Sequence, residues 1–399
     1  MGFILLRLFA AAAAVLCAAA LIKRRRVRKA GGFAIAGMVL GLLLFAVSFL
    51  PSLLFTDYEG LEPSGEYEVA QARAILVDKD RAEAFESDGS RREVPVYFYY
   101  PENGDATEEG FPLVVFSHGA FGYYQSNVSA YLELASHGYV VVSLDHPYHS
   151  FFTTDTQGKR ITVDPGFMRE VMGANQDNMS EEEIWELSRG WLELRTQDMD
   201  FVIDSMKDAA EEAGAEGEGS LSSAWFFESD EQERGIRGAL AMTDIERIGL
   251  MGHSLGGAAS VTVGRSREDI GAVADLDGTM LGEEKGFENG VCTYFAEPYP
   301  VPLLMIDNEE HYRVGREAGA LYVNSFILEN AVCSVHTYFE GSGHMNFTDL
   351  PLFSPPLASL LGTGNVDARE CVEIMNSIIL QFFDYYLKGQ GELSIAPKY

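Results

Sequence analysis

Cysteine is scarce in this chain of 399 residues, which has only four: Cys17, Cys292, Cys333 and Cys371. Cys17 lies inside an apolar run, and Leu16 before it is too bulky for the small residue that lipid-attachment processing requires ahead of its cysteine. The other three are an odd number without short spacing, which argues against a zinc site and against a disulfide framework. Basic residues are outnumbered, 29 Lys and Arg against 60 Asp and Glu, giving a formal net charge of −31. Seven of the 29 fall within the first 29 positions, and no acidic residue precedes Asp57. The remainder of the chain is therefore strongly acidic, repels phosphate backbones and excludes nucleic-acid binding. There is no internal repeat, and the pattern calls for no cofactor and no metal.

Charge is also missing from residues 30–55, and residues 3–22 are apolar apart from Arg7. Each stretch is long enough to cross a bilayer as a helix. Between them stands Lys23-Arg24-Arg25-Arg26-Val27-Arg28-Lys29, and the positive-inside rule places this basic turn in the cytoplasm. The expectation for residues 1–55 is a transmembrane helical hairpin with the turn at 23–29. A cleaved signal followed by one anchor is the alternative, but a basic cluster directly after the first run opposes translocation. Residues 56–66, with Gly60, Pro63 and Gly65, then form a linker. This reading makes the protein a two-pass protein of the cell membrane with its catalytic domain outside the cytoplasm.

From Tyr67 onward strand and helix patterns alternate, as in a mostly parallel central sheet with helices on both faces. Residues 94–100, 112–116, 139–144, 245–251, 270–276, 302–306 and 332–339 read as strands. Residues 371–388 read as a closing amphipathic helix, with Ile374, Ile378, Phe382 and Tyr385 at helical spacing. The domain is expected to run over 67–399. Its long interval 151–244 separates two core strands, contains a helix over 181–212 and an acidic Gly-rich stretch over 214–223, and reads as a lid-like insertion or as a solvated excursion.

The chemistry centres on Gly252-His253-Ser254-Leu255-Gly256-Gly257. An apolar strand precedes it and a helix follows, so strand, tight Gly-x-Ser-x-Gly turn and helix form the nucleophile elbow of an α/β-hydrolase. Glycines flank Ser254 because the serine takes a strained conformation and neighbouring side chains would collide with the strand or helix. A serine hydroxyl needs a histidine to take its proton and a carboxylate to orient that histidine. His344, in the Gly-rich loop after the last strand, is the candidate base. His336 within that strand reads as a packed or surface residue, and His311 after the preceding strand is the weaker alternative. For the acid, Asp277 ends one strand while Asp307, Glu309 and Glu310 end the next, and topology alone leaves both open. Two backbone N–H groups must hold the developing oxyanion: Leu255 supplies one, and Ala120 in Phe116-Ser117-His118-Gly119-Ala120-Phe121-Gly122 the other. His118 reads as a residue bracing this loop.

With these residues placed, the chain resembles the platelet-activating factor acetylhydrolase and dienelactone-hydrolase-like set of α/β-hydrolases over most of residues 65–388. The likeness rests on Asp78-Lys79-Asp80-Arg81, Arg91-Arg92-Glu93, Tyr99-Tyr100-Pro101, Phe116-Ser117-His118-Gly119 and Leu134-Ala135-Ser136-His137-Gly138-Tyr139. It continues through Asp145-His146-Pro147, Arg195 with Asp198, the elbow, Leu276-Asp277 and Gly343-His344-Met345-Asn346-Phe347. The group places its acid in a Leu-Asp context after the strand that follows the nucleophile, which favours Asp277. The resemblance implies metal-free hydrolysis of short or oxidised acyl chains from phospholipids or related esters. The expected function is thus a membrane-anchored serine esterase acting on a small ester or lipid through Ser254, His344 and Asp277. An acyltransferase or peptidase with the same triad is the alternative within enzymes, and a non-catalytic scaffold domain the alternative outside them.

Overall fold

The computed structural model of the chain describes residues 31–399 apart from 57, 103–109, 177–178, 216–220 and 289. The first expected span, 3–22, and the basic turn 23–29 lie outside the described residues. The second expected span is not one helix. A 17-residue helix, Gly31–Val47, gives way at Ser48, whose hydroxyl donates to Phe45 O at 2.6 Å. A short helix, Leu50–Leu54, then resumes with Pro51 in its first turn. A side-chain hydroxyl bonded back to the helix and a proline without an N–H both interrupt the helical ladder. At 1.5 Å per residue the first piece reaches about 25 Å, less than the roughly 30 Å of hydrocarbon in a bilayer. No helix among the described residues is long and apolar enough to cross a membrane.

The chain divides into two compact units. The first joins the described part of residues 1–59 to Leu350–Leu361. Within it Thr56 N–H donates to Phe353 O at 3.0 Å, Ser354 Oγ donates to Leu54 O at 2.6 Å, and Phe55 stacks on Phe353. The second comprises Gly60–Asp349 and Gly362–Tyr399 and contains every candidate site residue.

Thirteen strands are described in chain order. They are β1 (Val69–Ala82), β2 (Arg91–Pro101), β3 (Phe111–Ser117), β4 (Val140–Leu144), β5 (Phe152–Thr154), β6 (Arg160–Thr162), β7 (Trp225–Phe226), β8 (Thr243–His253), β9 (Ile270–Leu276), β10 (Glu284–Glu288), β11 (Val291–Tyr294), β12 (Leu303–Asn308) and β13 (Ser334–Phe339). Nine of them make one sheet in the order β13-β12-β9-β8-β3-β4-β2-β1-β7. From β13 to β4 every neighbour is parallel, and β2, β1 and β7 add an antiparallel edge. The expected α/β architecture with a mostly parallel sheet is present. Every residue of β3 and β4 is buried, as continuous apolar strands must be when helices cover both faces. β1 carries no such run: Ala72, Ala74 and Leu76 face the core at period two while Arg73 faces outward, and its small alanines mute the alternation.

The helices divide between the two faces. A side chain at Gly249 of β8 would meet Phe383 and Leu387 of the C-terminal helix Ala368–Leu387. The next residue, Leu250, pairs with Val273, which packs under Gly264 of the elbow helix Leu255–Ser266. Successive strand residues point to opposite faces, so these two helices cover opposite sides. The long helix Glu181–Ala215 packs on the elbow helix. Its Leu192, Met199, Val202, Ile203 and Met206 are core residues. This part of the 151–244 interval is a layer of the core, neither lid nor solvated excursion, because one face of the helix is apolar over five turns.

Candidate active site

Ser254 joins β8 to the elbow helix at φ 56° and ψ −125°, a backbone conformation that L-residues rarely adopt and that must be held from outside. Its N–H donates to Leu276 O at 2.9 Å, and glycines make the close approach possible. A Cβ on Gly252 would strike the Gly256 carbonyl, and one on Gly256 would strike the backbone of Ser117. A Cβ on Gly278 would come within 2.6 Å of Ser254 O. The serine hydroxyl makes no bond to the helix behind it.

Asp277 follows β9 at φ 58°, its N–H donating to Ile306 O at 2.8 Å. His344 Nδ1 lies 2.6 Å from Asp277 Oδ2. A carboxylate that takes the Nδ1 proton leaves Nε2 with the lone pair that a general base needs. The His344 side chain is 38% exposed while that of Asp277 is 1% exposed, so the imidazole is open to an incoming molecule and the carboxylate is not. Burial alone would raise the Asp277 carboxyl, but hydrogen bonds from His311 and His344 outweigh it and hold Asp277 well below the usual carboxylate range. The loop carrying His344 is fixed by Asn346, whose Oδ1 accepts the N–H of Gly343 at 2.9 Å and of Gly364 at 2.8 Å. Beneath it His253 Nε2 donates to His344 O at 3.2 Å. Burial and the neighbouring His344 push His253 down to about 3, so it stands neutral as this donor.

The other carboxylates at this sheet edge face elsewhere. Asp307 takes His336 Nε2 at 2.8 Å, Glu309 accepts Gly341 N–H at 2.9 Å, and Glu310 pairs with Arg313. Asp275 accepts Gly278 N–H at 3.1 Å on each oxygen and is buried.

The Ser117–Gly122 loop borders Ser254: a Cβ on Gly119 would lie 3.2 Å from Ser254 Cβ and 2.8 Å from His253 Nδ1. The Phe121 N–H donates to His149 O at 3.2 Å and the Gly122 N–H to Gly119 O at 3.1 Å. The Ala120 N–H takes no partner among the described residues. Leu255 opens the elbow helix, where N–H groups have no intrahelical acceptor. His118 braces the loop as expected, its Nε2 paired with Ser150 Oγ at 2.8 Å in full burial.

A buried polar network stands behind this loop. Arg195, from the long helix, donates to His118 O and to Gly119 O. Asp198, one turn on, takes Arg92 through Nη2 at 2.7 Å and Nε at 3.0 Å, and His146 Nδ1 at 2.9 Å. His146 Nε2 in turn pairs with Ser117 Oγ at 2.9 Å, at the last residue of β3. Burial, with Arg195 adding to it, lowers His146 to about 4, so its neutral ring donates from Nδ1 and accepts at Nε2. The pattern of the long helix foreshadows this, since Arg195 and Asp198 interrupt its apolar face between Leu192 and Met199. Removing one partner of a buried ion pair leaves the other charge unpaired. Asp198→Ala is expected to lower the urea unfolding free energy by about 3 kcal/mol. An unchanged urea midpoint would show that the network contributes nothing.

Two partners of Asp277 escape the sequence pattern. Asn308 donates to it through its N–H at 2.7 Å and Nδ2 at 2.6 Å, and His311 approaches Oδ1 with Nδ1 at 3.2 Å. Asn308 ends β12 and His311 lies in the first turn of the helix that follows, and the neighbourhood of β12 with β9 is a property of strand order.

A model of the family described as platelet-activating factor acetylhydrolase, isoform II, matches residues 94–394. The platelet-activating factor acetylhydrolase of Cavia porcellus is 22% identical over 307 residues, covering 70% of this chain and 58% of that protein. The Bos taurus protein of the same name is 23% identical over 303 residues, covering 72% and 59%. The chain thus spans less than two thirds of the length of these relatives. In fold, the chain is similar to a ferulic acid esterase from Streptomyces cinnamoneus, with a TM-score of 0.59 at 20% identity over 86% of this chain and 97% of that one. With the elbow, the buried Arg195–Asp198 stretch and the His344 loop all inside the matched range, the chain belongs to the platelet-activating factor acetylhydrolase isoform II family.

Proposed function

We propose that this protein is a serine esterase acting on short or oxidised acyl chains of phospholipids or related esters. The observation that carries this reading is the Asp277–His344 hydrogen bond, with the strained Ser254 at a helix N-terminus tied through its N–H to Leu276 O, next to Asp277 in the chain. Ser254 Oγ attacks the ester carbonyl carbon and passes its proton to His344 Nε2. Asp277 holds the ring in the right tautomer and stabilises the imidazolium. The N–H groups of Ala120 and Leu255 receive the oxyanion, at a helix end whose dipole favours negative charge. The tetrahedral intermediate collapses, the leaving alcohol takes the proton from Nε2, and water repeats the sequence on the acyl-enzyme.

Beside Ala120, Phe121 packs edge-on against Phe167, and Phe167 against Trp191, which puts apolar surface next to the proposed oxyanion loop. We keep the N-terminal apolar segments as the membrane anchor, with the catalytic unit outside the cytoplasm. The reading is supported by the apolar runs flanking the basic turn at 23–29, the first interrupted by Arg7 alone and the second without charge. Exposed leucines in the first compact unit, Leu53 at 69% and Leu360 at 80%, suit contact with lipid.

An acyl-length series on p-nitrophenyl esters and on phospholipids with short, oxidised and long sn-2 chains tests the substrate class. Acetyl to butyryl and oxidised chains should exceed palmitoyl by at least about tenfold in kcat/KM. Equal rates across the series would overturn the short-acyl assignment. Protease added to intact cells should cleave the catalytic unit; protection would reverse the orientation.

A further inference from the structure

Asp277 serves two histidines. His344 Nδ1 occupies one side at Oδ2, 2.6 Å away, and His311 Nδ1 approaches the other at Oδ1, 3.2 Å away. Asn308 fills the remaining acceptor positions, its N–H at 2.7 Å from Oδ1 and its Nδ2 at 2.6 Å from Oδ2. An ionised carboxylate offers about four lone-pair sites, so Asp277 is saturated by protein donors and has none left for a metal ion. This matters because Asp277, Asp307 and His311 are otherwise close enough together to hold one.

His311 sits in the first turn of the helix Glu309–Ala318, with its own N–H capped by Asn308 Oδ1 at 2.9 Å. Three carboxyl groups face it from two strand ends. Asp277 and Asp275 come from the end of β9, and Asp307 from β12, with Asp307 Oδ1 at 3.5 Å from His311 Nδ1. Among the described residues that Asp307 oxygen has no hydrogen bond of its own, while Oδ2 holds His336. On its far side His311 Nε2 meets the Tyr322 hydroxyl, which has Thr279 Oγ1 at 3.4 Å as its next partner, and Asn324 Nδ2 stands 3.5 Å from the same ring nitrogen. Within its own helix Glu309 and Glu310 turn to Gly341 and Arg313. Nδ1 of this half-buried ring therefore faces carboxylate oxygens of both Asp277 and Asp307, while at Nε2 the Tyr322 hydroxyl is able to accept, the Asn324 amide beside it already donating to Gly278 O at 2.7 Å. That is the environment of a ring carrying both protons.

We propose that His311 is a positioning residue, held as an imidazolium on the second oxygen of the triad acid, where its charge opposes protonation of His344. This rests on the reading of Ser254, Asp277 and His344 as a catalytic triad. Burial and the helix N-terminus oppose the charge, but the bond to Asp277 and the field of Asp307 outweigh them and raise His311 to about 9. A cation bound to Asp277 offsets part of the attraction that the same carboxylate exerts on a second imidazolium.

The sign of the test follows. His344 must be neutral to act, so activity falls as pH drops through its protonation. Removing the His311 charge makes that protonation easier and moves the acid limb of kcat/KM to higher pH. In His311→Gln, whose amide can still donate to Asp277, the limb is expected to rise by roughly 0.5–1 unit. Tyr322→Phe keeps the ring but removes the hydroxyl at Nε2 on which the second proton of an imidazolium would rest, and should move the limb the same way by less. A merely space-filling His311 would alter the plateau rate and leave the limb in place, and an unmoved limb in the folded variants overturns the proposal.

The wild-type protein carries an independent check. Histidine-selective ¹⁵N spectra at pH 8 should contain a doubly protonated ring, and the absence of any such ring overturns the charge assignment even where neither variant folds. Fluorophosphonate labelling separates the two readings. If Ser254 is labelled and the limb does not move, only the role of His311 falls; if Ser254 is not labelled, the triad falls with it.

Discussion

Replacing Ser254 with alanine is expected to lower turnover of an activated ester by about 10⁶-fold and to abolish labelling by a fluorophosphonate. The size follows from covalent catalysis: without Oγ there is no acyl-enzyme, and His344 and Asp277 have no nucleophile to activate. The residue beyond Cβ is all that changes. The strained backbone at φ 56° is held by the Ser254 N–H bond to Leu276 O and by the glycines around it, so the alanine protein should fold as the wild type does. Residual activity is expected to stay about 10³–10⁴-fold above water, because the Ala120 and Leu255 N–H groups remain in place. Burst kinetics with a p-nitrophenyl ester and intact-protein mass after labelling measure both effects. Unchanged labelling of the variant would remove Ser254 from the mechanism.

Asp277→Asn should lower kcat by about 10³–10⁴-fold with little change in fold. Four donors point at the two oxygens: His311 Nδ1 and Asn308 N–H at Oδ1, His344 Nδ1 and Asn308 Nδ2 at Oδ2. An asparagine has one acceptor oxygen and one amide nitrogen. With the oxygen kept toward Asn308 N–H and His311, the amide faces His344 Nδ1 and forces that nitrogen to accept. The proton then sits on Nε2, where Ser254 needs a lone pair. A pH–rate profile of the variant should therefore show low activity across the neutral range and recover only where stronger base is supplied by solvent. A kcat within tenfold of wild type would mean that another carboxylate orients His344.

Much of this architecture is legible in the residue pattern. The alternation of short apolar strands with helices announces the parallel sheet, and β3, β4, β8, β9, β12 and β13 fall where the pattern places them. The closing helix expected over 371–388 is Ala368–Leu387 in the structure. The bracing role of His118 is also readable, from its place in a loop beside the elbow. The pattern misleads where it is muted or long-range. β1 is hidden by alanines at its core-facing positions, and the long helix that reads as a lid is core, its Arg195 and Asp198 turned inward and fully buried. The apolar run over 30–55 has the composition of a span, yet Ser48 and Pro51 divide it into two helices, since hydropathy does not register a break in the hydrogen-bond ladder.

The sequence by itself determined the elbow, because a tight turn between strand and helix is a local demand met by local residues, Gly252, Gly256 and Gly257 around Ser254. It also singled out His344, on a glycine-rich loop at the same sheet edge, as the candidate base, with His311 as the weaker alternative. Which carboxylate meets that histidine is a matter of strand order. Residue pattern leaves Asp277 and Asp307 open, resemblance favours Asp277, and in the structure β9 and β12 lie side by side with Asp277 toward His344 and Asp307 toward His336. The second histidine on Asp277, 34 residues away in the chain, and the Arg92–Asp198 pair, 106 residues apart, belong to tertiary structure alone. Contacts over such separations come from how helices and strands pack, and no local spacing encodes them.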